Sequence, residues 1–193
     1  MRLKRPLVAR DDFVIVIIDM QERLAGVMER RDDVVRVATQ LARTAAMLDA
    51  PIIVTRQYPK GLGPTVPELE GILTELGEAG ASVIGVDKTA FCCAAESVFT
   101  EALEATGRSQ VVLAGMETHI CVAQTALVLT AEGREVHVVA DGCCSRLATH
   151  HDVALDRLRH AGVSVTTGES VMYEAVGRAG TDEFRQLLAI VKE

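Results

Sequence analysis

Residues 13–19 read FVIVIID and residues 111–121 read VVLAGMETHIC. Each is an apolar run that ends in residues able to do chemistry. Four to six apolar residues without polar alternation suit a strand buried on both faces, the situation of a parallel sheet covered by helices. Further runs at Ile52–Val54, Val83–Val86, Val136–Ala140 and Val163–Val165 join Phe13–Ile18 and Val111–Ala114 as expected strands. Between them, Val34, Ala38, Leu41, Ala45 and Leu48 fall on one helical face, and Val98, Ala102 and Ala105 repeat the pattern. Leu127, then Ala154, Leu158 and Ala161, then Phe184, Leu187, Leu188 and Val191 mark three more helices. Strands alternating with helices imply βαβ units, because parallel strands need long crossovers. The expected fold is therefore α/β, a three-layer α/β/α sandwich around a mostly parallel sheet. With 193 residues and no linker or repeat, one domain over 1–193 is expected.

Composition narrows the function. The formal charge is -7 and no Lys/Arg block occurs, which argues against nucleic acid as a partner. MRLKRPLVAR at the N-terminus is basic, but Asp11 and Asp12 follow before any long apolar run, and FVIVII is too short to span a bilayer. The five cysteines are Cys92, Cys93, Cys121, Cys143 and Cys144, an odd number without CxxC spacing, so neither a disulfide framework nor a zinc ribbon is signalled. A reducing cytoplasm fits, with no membrane association. Neither GxGxxG nor GxxxxGK[ST] occurs, so no nucleotide cofactor is expected.

Arg56 to about Pro67 (RQYPKGLGPTVP) is the longest irregular stretch; its Pro and Gly residues argue against a helix. It follows a strand, and the carboxyl ends of strands form the ligand crevice of an open α/β sheet, so this loop is placed to wall a pocket. A plain solvent-exposed connection is the alternative.

Asp19, Lys88 and Cys121 each stand at or shortly after the end of an apolar run. Singly, Asp19 could cap a helix, Lys88 could be a solvated charge and Cys121 a small buried hydrophobe. Together they make a coherent set: a carboxylate to accept the thiol proton, an ammonium to balance charge, and a sulfur nucleophile. Thr118 is expected to cap a helix whose free amides face Cys121, which would acidify the thiol and hold an oxyanion. His119 is expected not to reach Cys121, since residues two apart at a helix start point differently. His150 and His151 are expected near the start of the helix running to His160. Cys92 and Cys93 are read as space-filling, and Cys143 and Cys144 carry no mark of activation.

These segments resemble the isochorismatase-like cysteine hydrolases over nearly the whole chain. VIIDMQERL resembles the family's first strand with its aspartate, GVDKTAF its lysine segment, GMETHICVAQTAL its nucleophile elbow and VVADGCCSR its next strand. The resemblance implies a doubly wound sheet of about six strands. It also implies an Asp19–Lys88–Cys121 triad working through a thioester, and a cis Met116–Glu117 peptide with the Glu117 and Cys121 amides as oxyanion hole. Family members are commonly homo-oligomers, and the apolar terminal helix could serve such an interface or equally pack within its own subunit. Nicotinamidases of this superfamily carry metal-binding histidines after the second strand, whereas this chain has TRQYPKGLGPTVPEL there, so no metal is expected. That segment resembles the isochorismatase domain-containing subgroup and makes Gln21, Gln57, Tyr58 and Phe91 candidate pocket residues, with Phe91 alternatively only core. The expected reaction is hydrolysis of a small-molecule amide-type C–N bond. Vinyl-ether hydrolysis of an isochorismate-like molecule, or a non-catalytic binding protein of the same fold, are the alternatives.

Overall fold

The computed structural model describes residues 6–192; the first five residues of the basic N-terminal stretch lie outside the described residues. The elements run β1 (Phe13–Ile18), α1 (Glu22–Ala25), α2 (Arg31–Met47), β2 (Ile52–Gln57), α3 (Pro59–Leu62), α4 (Pro67–Glu78), β3 (Val83–Lys88), α5 (Ser97–Ala105), β4 (Gln110–Met116), α6 (Ala123–Ala131), β5 (Glu135–Cys144), α7 (Ala148–His160), β6 (Ser164–Thr166), α8 (Gly168–Val176) and α9 (Asp182–Ile190). A 3-10 turn at Cys93–Ala95 precedes α5, and a π-helical turn at Thr118–Val122 precedes α6.

The six strands pair in the order β3-β2-β1-β4-β5-β6, every pair parallel. Strand order reverses between β1 and β4, which puts the topological switch point beside Asp19 and Glu117. Side chains of β1 alternate between two cores. Phe13, Ile15 and Ile17 pack with Val34 and Leu41 of α2 and with Val171 and Met172 of α8. Val14, Val16 and Ile18 pack with Phe99 of α5, Ala126 of α6 and Leu158 of α7. Because both strand faces are buried, the run needs no polar alternation, and this is why it reads as unbroken Val and Ile.

Three expectations are corrected. Several strands extend past their apolar runs: β2 continues through Thr55, Arg56 and Gln57, and β5 reaches Cys144. Pairing with one neighbour is enough to hold the ends of these strands in the sheet, β2 through Gln57 against Lys88 of β3 and β5 through Cys144 against Met116 of β4. The stretch after β2 is not free of helix, since α3 is a one-turn helix with Pro59 at its first position, where proline lacks only an amide that would have no helical partner anyway. In α5 the buried face is one residue out of phase with the expected one. Phe99 and Leu103 are buried while Val98 is 57% exposed, because the larger Phe and Leu gain more from burial.

Candidate active site

The strand ends bring the site together. Asp19 directly follows β1, Gln57 and Lys88 close β2 and β3, and Glu117 follows β4 and leads into the turn holding Cys121. Asp19 is left-handed (φ 53°), which turns the chain over the sheet edge while its amide donates to the Thr55 carbonyl at 3.1 Å. Such a conformation costs a non-glycine residue about 1–2 kcal/mol, so the surrounding contacts must hold it. Across the seam, Gly115 has φ 142°, and a Cβ there would stand 2.1 Å from the Ile18 carbonyl oxygen. Only glycine lets β4 come this close to the chain that presents Asp19.

Lys88 is fully buried with its ammonium committed on several sides. Nζ lies 2.6 Å from Asp19 Oδ2, donates to Gln57 Oε1 at 2.6 Å and reaches the Ala90 carbonyl at 3.3 Å. Gln57 is itself held, its Nε2 donating to the Thr89 carbonyl at 2.7 Å. Burial works against the ammonium, but attraction first to Asp19 and then to the neighbouring thiols outweighs it and holds Lys88 above its ordinary value. Asp19 Oδ1 accepts from the Thr55 hydroxyl at 2.7 Å. Oδ2 faces the Lys88 ammonium as an ion-pair contact.

Cys121 sits in the π-helical turn, a distortion often found where function is placed. The Glu117 carbonyl accepts the amides of Ile120 and Val122, on either side of Cys121. Burial, then the charge of Asp19 and a hydrogen bond to it, push the Cys121 thiol up to about 12, with Lys88 pulling the other way. This corrects the expectation of an acidified thiol. The sulfur is desolvated and faces a carboxylate, so the resting group is a thiol whose proton already leans on Asp19. Thr118 does not cap the turn either; its hydroxyl pairs with Nδ1 of His151 at 2.9 Å. His119 turns to Ser145 Oγ at 2.9 Å and stacks near His150, with ring centroids 4.7 Å apart. The Met116–Glu117 peptide is cis.

Asp19 and Cys121 open on a cavity of about 90 Å³, walled also by Gln57, Phe91 and Glu117. Leu24, Leu62 and Ile120 complete its mostly apolar lining, and no reading of single residues had pointed to these three. Their only signal was position: Leu24 and Leu62 lie in the segments after β1 and β2, and Ile120 adjoins Cys121. Phe91 is 56% exposed, so it is a wall and not core. Two candidates fall elsewhere. Gln21 is buried but does not line the cavity; its amide takes the Gln57 N–H at 2.7 Å and gives to the carbonyls of Gln57 (3.1 Å) and Gly63 (2.7 Å), pinning the loop to the strand end. Tyr58 is left-handed and 55% exposed, and it lines a separate surface groove with Pro59, Lys60 and Thr89. Cys93 is buried near Lys88, its thiol pushed up to about 11 by burial against the pull of that ammonium. Among the described residues no cluster of three or more His, Cys, Asp or Glu side chains could hold a metal ion. No described helix is long and apolar enough to cross a membrane.

Comparison with known proteins agrees with this geometry. Residues 13–170 match the family model described as the isochorismatase domain. Isochorismatase domain-containing protein 1 of Salmo salar is 40% identical over 179 residues, which is 93% of this chain and 60% of that protein's length. The structure of MAR1 ribonuclease from Caenorhabditis elegans superposes with a TM-score of 0.86 at 29% identity, covering 97% of this chain and 93% of that one. YcaC from Pseudomonas aeruginosa, solved with hexane-2,5-diol and covalent acrylamide, gives a TM-score of 0.81 at 25% identity and coverages of 98% and 93%. The strand order, the polar residues gathered at the switch point and the match over most of its length lead to one conclusion: this chain belongs to the isochorismatase family.

Proposed function

We propose that the chain is a metal-independent cysteine hydrolase that cleaves an amide-type C–N bond of a small molecule, with Asp19, Lys88 and Cys121 as its catalytic triad. The observation that carries this reading is the buried Asp19–Lys88 pair beside the Cys121 thiol, with Asp19 and Cys121 lining one small cavity. Oδ2 takes the thiol proton as Sγ attacks the carbonyl carbon, and the developing oxyanion is held by the backbone amides of Glu117 and Cys121. The Lys88 ammonium faces the Asp19 carboxylate before the transfer and balances the thiolate afterwards. Collapse of the tetrahedral intermediate breaks the C–N bond, and Asp19 returns the proton to the leaving nitrogen. Water, deprotonated by Asp19, then attacks the thioester, releasing the acid and restoring the thiol. The amine leaves first and the acid second, so the kinetics are ping-pong.

The raised thiol value fits this cycle. A neutral thiol and a buried carboxylate need no charge separation until substrate arrives, and the nucleophile forms only as the proton moves. The cavity beside Cys121 holds about 90 Å³, which suits a small acyl group. The covalent acrylamide in YcaC supports the reading, since acrylamide is an electrophile to which thiols add. The ribonuclease name of the nematode relative is not carried over. With a formal charge of -7, and Lys88 committed to Asp19 and Gln57, the site offers phosphates no grip.

Cys121→Ala and Asp19→Asn, assayed for ammonia or amine release from a library of small amides, test the proposal. Both should lose turnover by at least about 10³-fold. Amine release that survives Cys121→Ala but not Asp19→Asn would mean direct attack by water with Asp19 as base and no thioester, and activity surviving both would end the triad reading. We also read residues 1–193 as one domain of a cytoplasmic homo-oligomer. Five free thiols support the compartment, and the exposed Val98, Val128 and Val153 on α5, α6 and α7 support association. Light scattering tests the latter.

A further inference from the structure

Glu117 carries a second carboxylate, besides that of Asp19, in the wall of the cavity, and the chemistry proposed above uses only its backbone. It is 4% exposed. Oε2 accepts both bonds from Arg146, from its backbone N–H at 2.8 Å and from Nε at 3.3 Å. Oε1 accepts no hydrogen bond from the described residues. A carboxylate oxygen with no partner in the protein is an acceptor open to a donor brought into the cavity that Glu117 lines.

The charges around the cavity decide what that partner is. Lys88 and Asp19 neutralise one another at the floor. Glu117 is neutralised only from outside, by an Arg146 side chain that is 60% exposed and therefore screened by water. The cavity interior thus keeps an excess of negative potential together with a free acceptor. A carboxylate entering it would meet Glu117 with no cation to spare, whereas an N–H donor would find Oε1 and a cationic nitrogen would gain charge attraction as well.

We propose that Glu117 is a specificity-determining residue that selects substrates carrying a nitrogen donor near the scissile carbonyl, protonated amines most strongly, and rejects acyl groups bearing a carboxylate. The inference rests on the reading of Cys121 as the reactive group of this cavity. It disfavours a dicarboxylate of the isochorismate type and makes amides of small amino-substituted acids the class to screen.

Three alkylating agents of similar size probe this without a known substrate: 2-bromoethylamine, iodoacetamide and iodoacetate. Labelling of Cys121 is followed by peptide mass spectrometry, each rate divided by that of the same agent with glutathione. The normalised rates should fall in the order cationic, neutral, anionic. Glu117→Gln should lower the cation-to-anion ratio about tenfold or more, and Arg146→Ala, which removes the external countercharge, should raise it. Because Arg146 is at the surface, its variant decides the matter if Glu117→Gln does not fold. A ratio that neither substitution moves, or that Arg146→Ala lowers, overturns the inference while leaving the nucleophile reading intact. Cys121 labelling no faster than that of the buried Cys143, with every agent, would instead remove the reading beneath it.

Discussion

Cys121 and Cys143 are both buried thiols next to β4, and burial raises the pKa of each, yet their surroundings differ in kind. Cys143 lies within β5, where its sulfur has backbone groups for partners, the Leu113 carbonyl at 3.9 Å and the Gly115 amide. Cys121 lies past the end of β4, facing a carboxylate and an ammonium that compensates it. A buried sulfur inside a strand is a small hydrophobe with its proton locked on. The same sulfur beyond a strand end, beside an ion pair, has somewhere to send that proton. The lesson is that desolvation alone silences a thiol, and a proton acceptor in the same dry environment gives it a route to react.

The largest expected effect breaks the comparison on one side only. Cys121→Ala abolishes turnover of any amide the native protein hydrolyses, while Cys143→Ala leaves it within about twofold and costs about 1 kcal/mol of stability in urea unfolding, as a modest core truncation. Equal losses of activity in the two variants would mean that the sulfurs are not functionally distinct.

Lys88→Met comes next. Removing one member of a buried pair leaves Asp19 uncompensated, and unfolding in urea should show a loss of about 3–5 kcal/mol. Because Lys88 pulls the Cys121 value down, the same variant should alkylate Cys121 more slowly at neutral pH and leave Cys143 unchanged. Adding Asp19→Asn to Lys88→Met should restore part of the stability, since no buried charge then remains unpaired. That asparagine substitution alone separates reactivity from catalysis: it takes away a charge that raises the thiol, so alkylation of Cys121 should shift to lower pH even as turnover is lost.

A smaller effect sharpens the shared half of the comparison, the burial. Both thiols hold their protons more tightly folded than in the unfolded chain, where the ordinary value is 9.0. The stability they contribute is therefore complete below about pH 9 and is lost as the pH rises, for Cys121 through its folded value of about 12. Each such thiol steepens the alkaline decline of stability by up to about 1.4 kcal/mol per pH unit. Cys143→Ala should make that decline shallower in urea titrations between pH 9 and 11, and an unchanged slope would show that its thiol is not held up by burial.

Much of this was legible along the chain because buried parallel strands leave an unmistakable mark. FVIVII and VVLAGM can only be comfortable between two helical layers, and polar residues directly after such runs fall on one edge of the sheet. What escaped the reading was set by neighbours. Thr55, Arg56 and Gln57 look like the start of a loop, yet the pairing of β2 with β3 keeps them in the sheet, where Thr55 anchors Asp19 and Gln57 orients Lys88. Gln21 and Gln57 are alike in composition and proximity, but one closes on the backbone of its own loop and the other faces the cavity. Side-chain direction at a strand end depends on the turn that follows it, and the left-handed turns at Asp19 and Tyr58 have no pattern in the residues around them.

By itself, the sequence determined the layer architecture and the identity of the three polar groups that meet at the switch point. Burial periodicity and residue chemistry are local properties, and local properties survive in a linear string. The tertiary structure alone decided the burial that pushes the Cys121 thiol up, the ion pair of Asp19 with Lys88, and the place of Glu117 in the cavity wall. Each of these depends on solvent exclusion and on distances between segments far apart in the chain, which come into being only when the strands lie side by side.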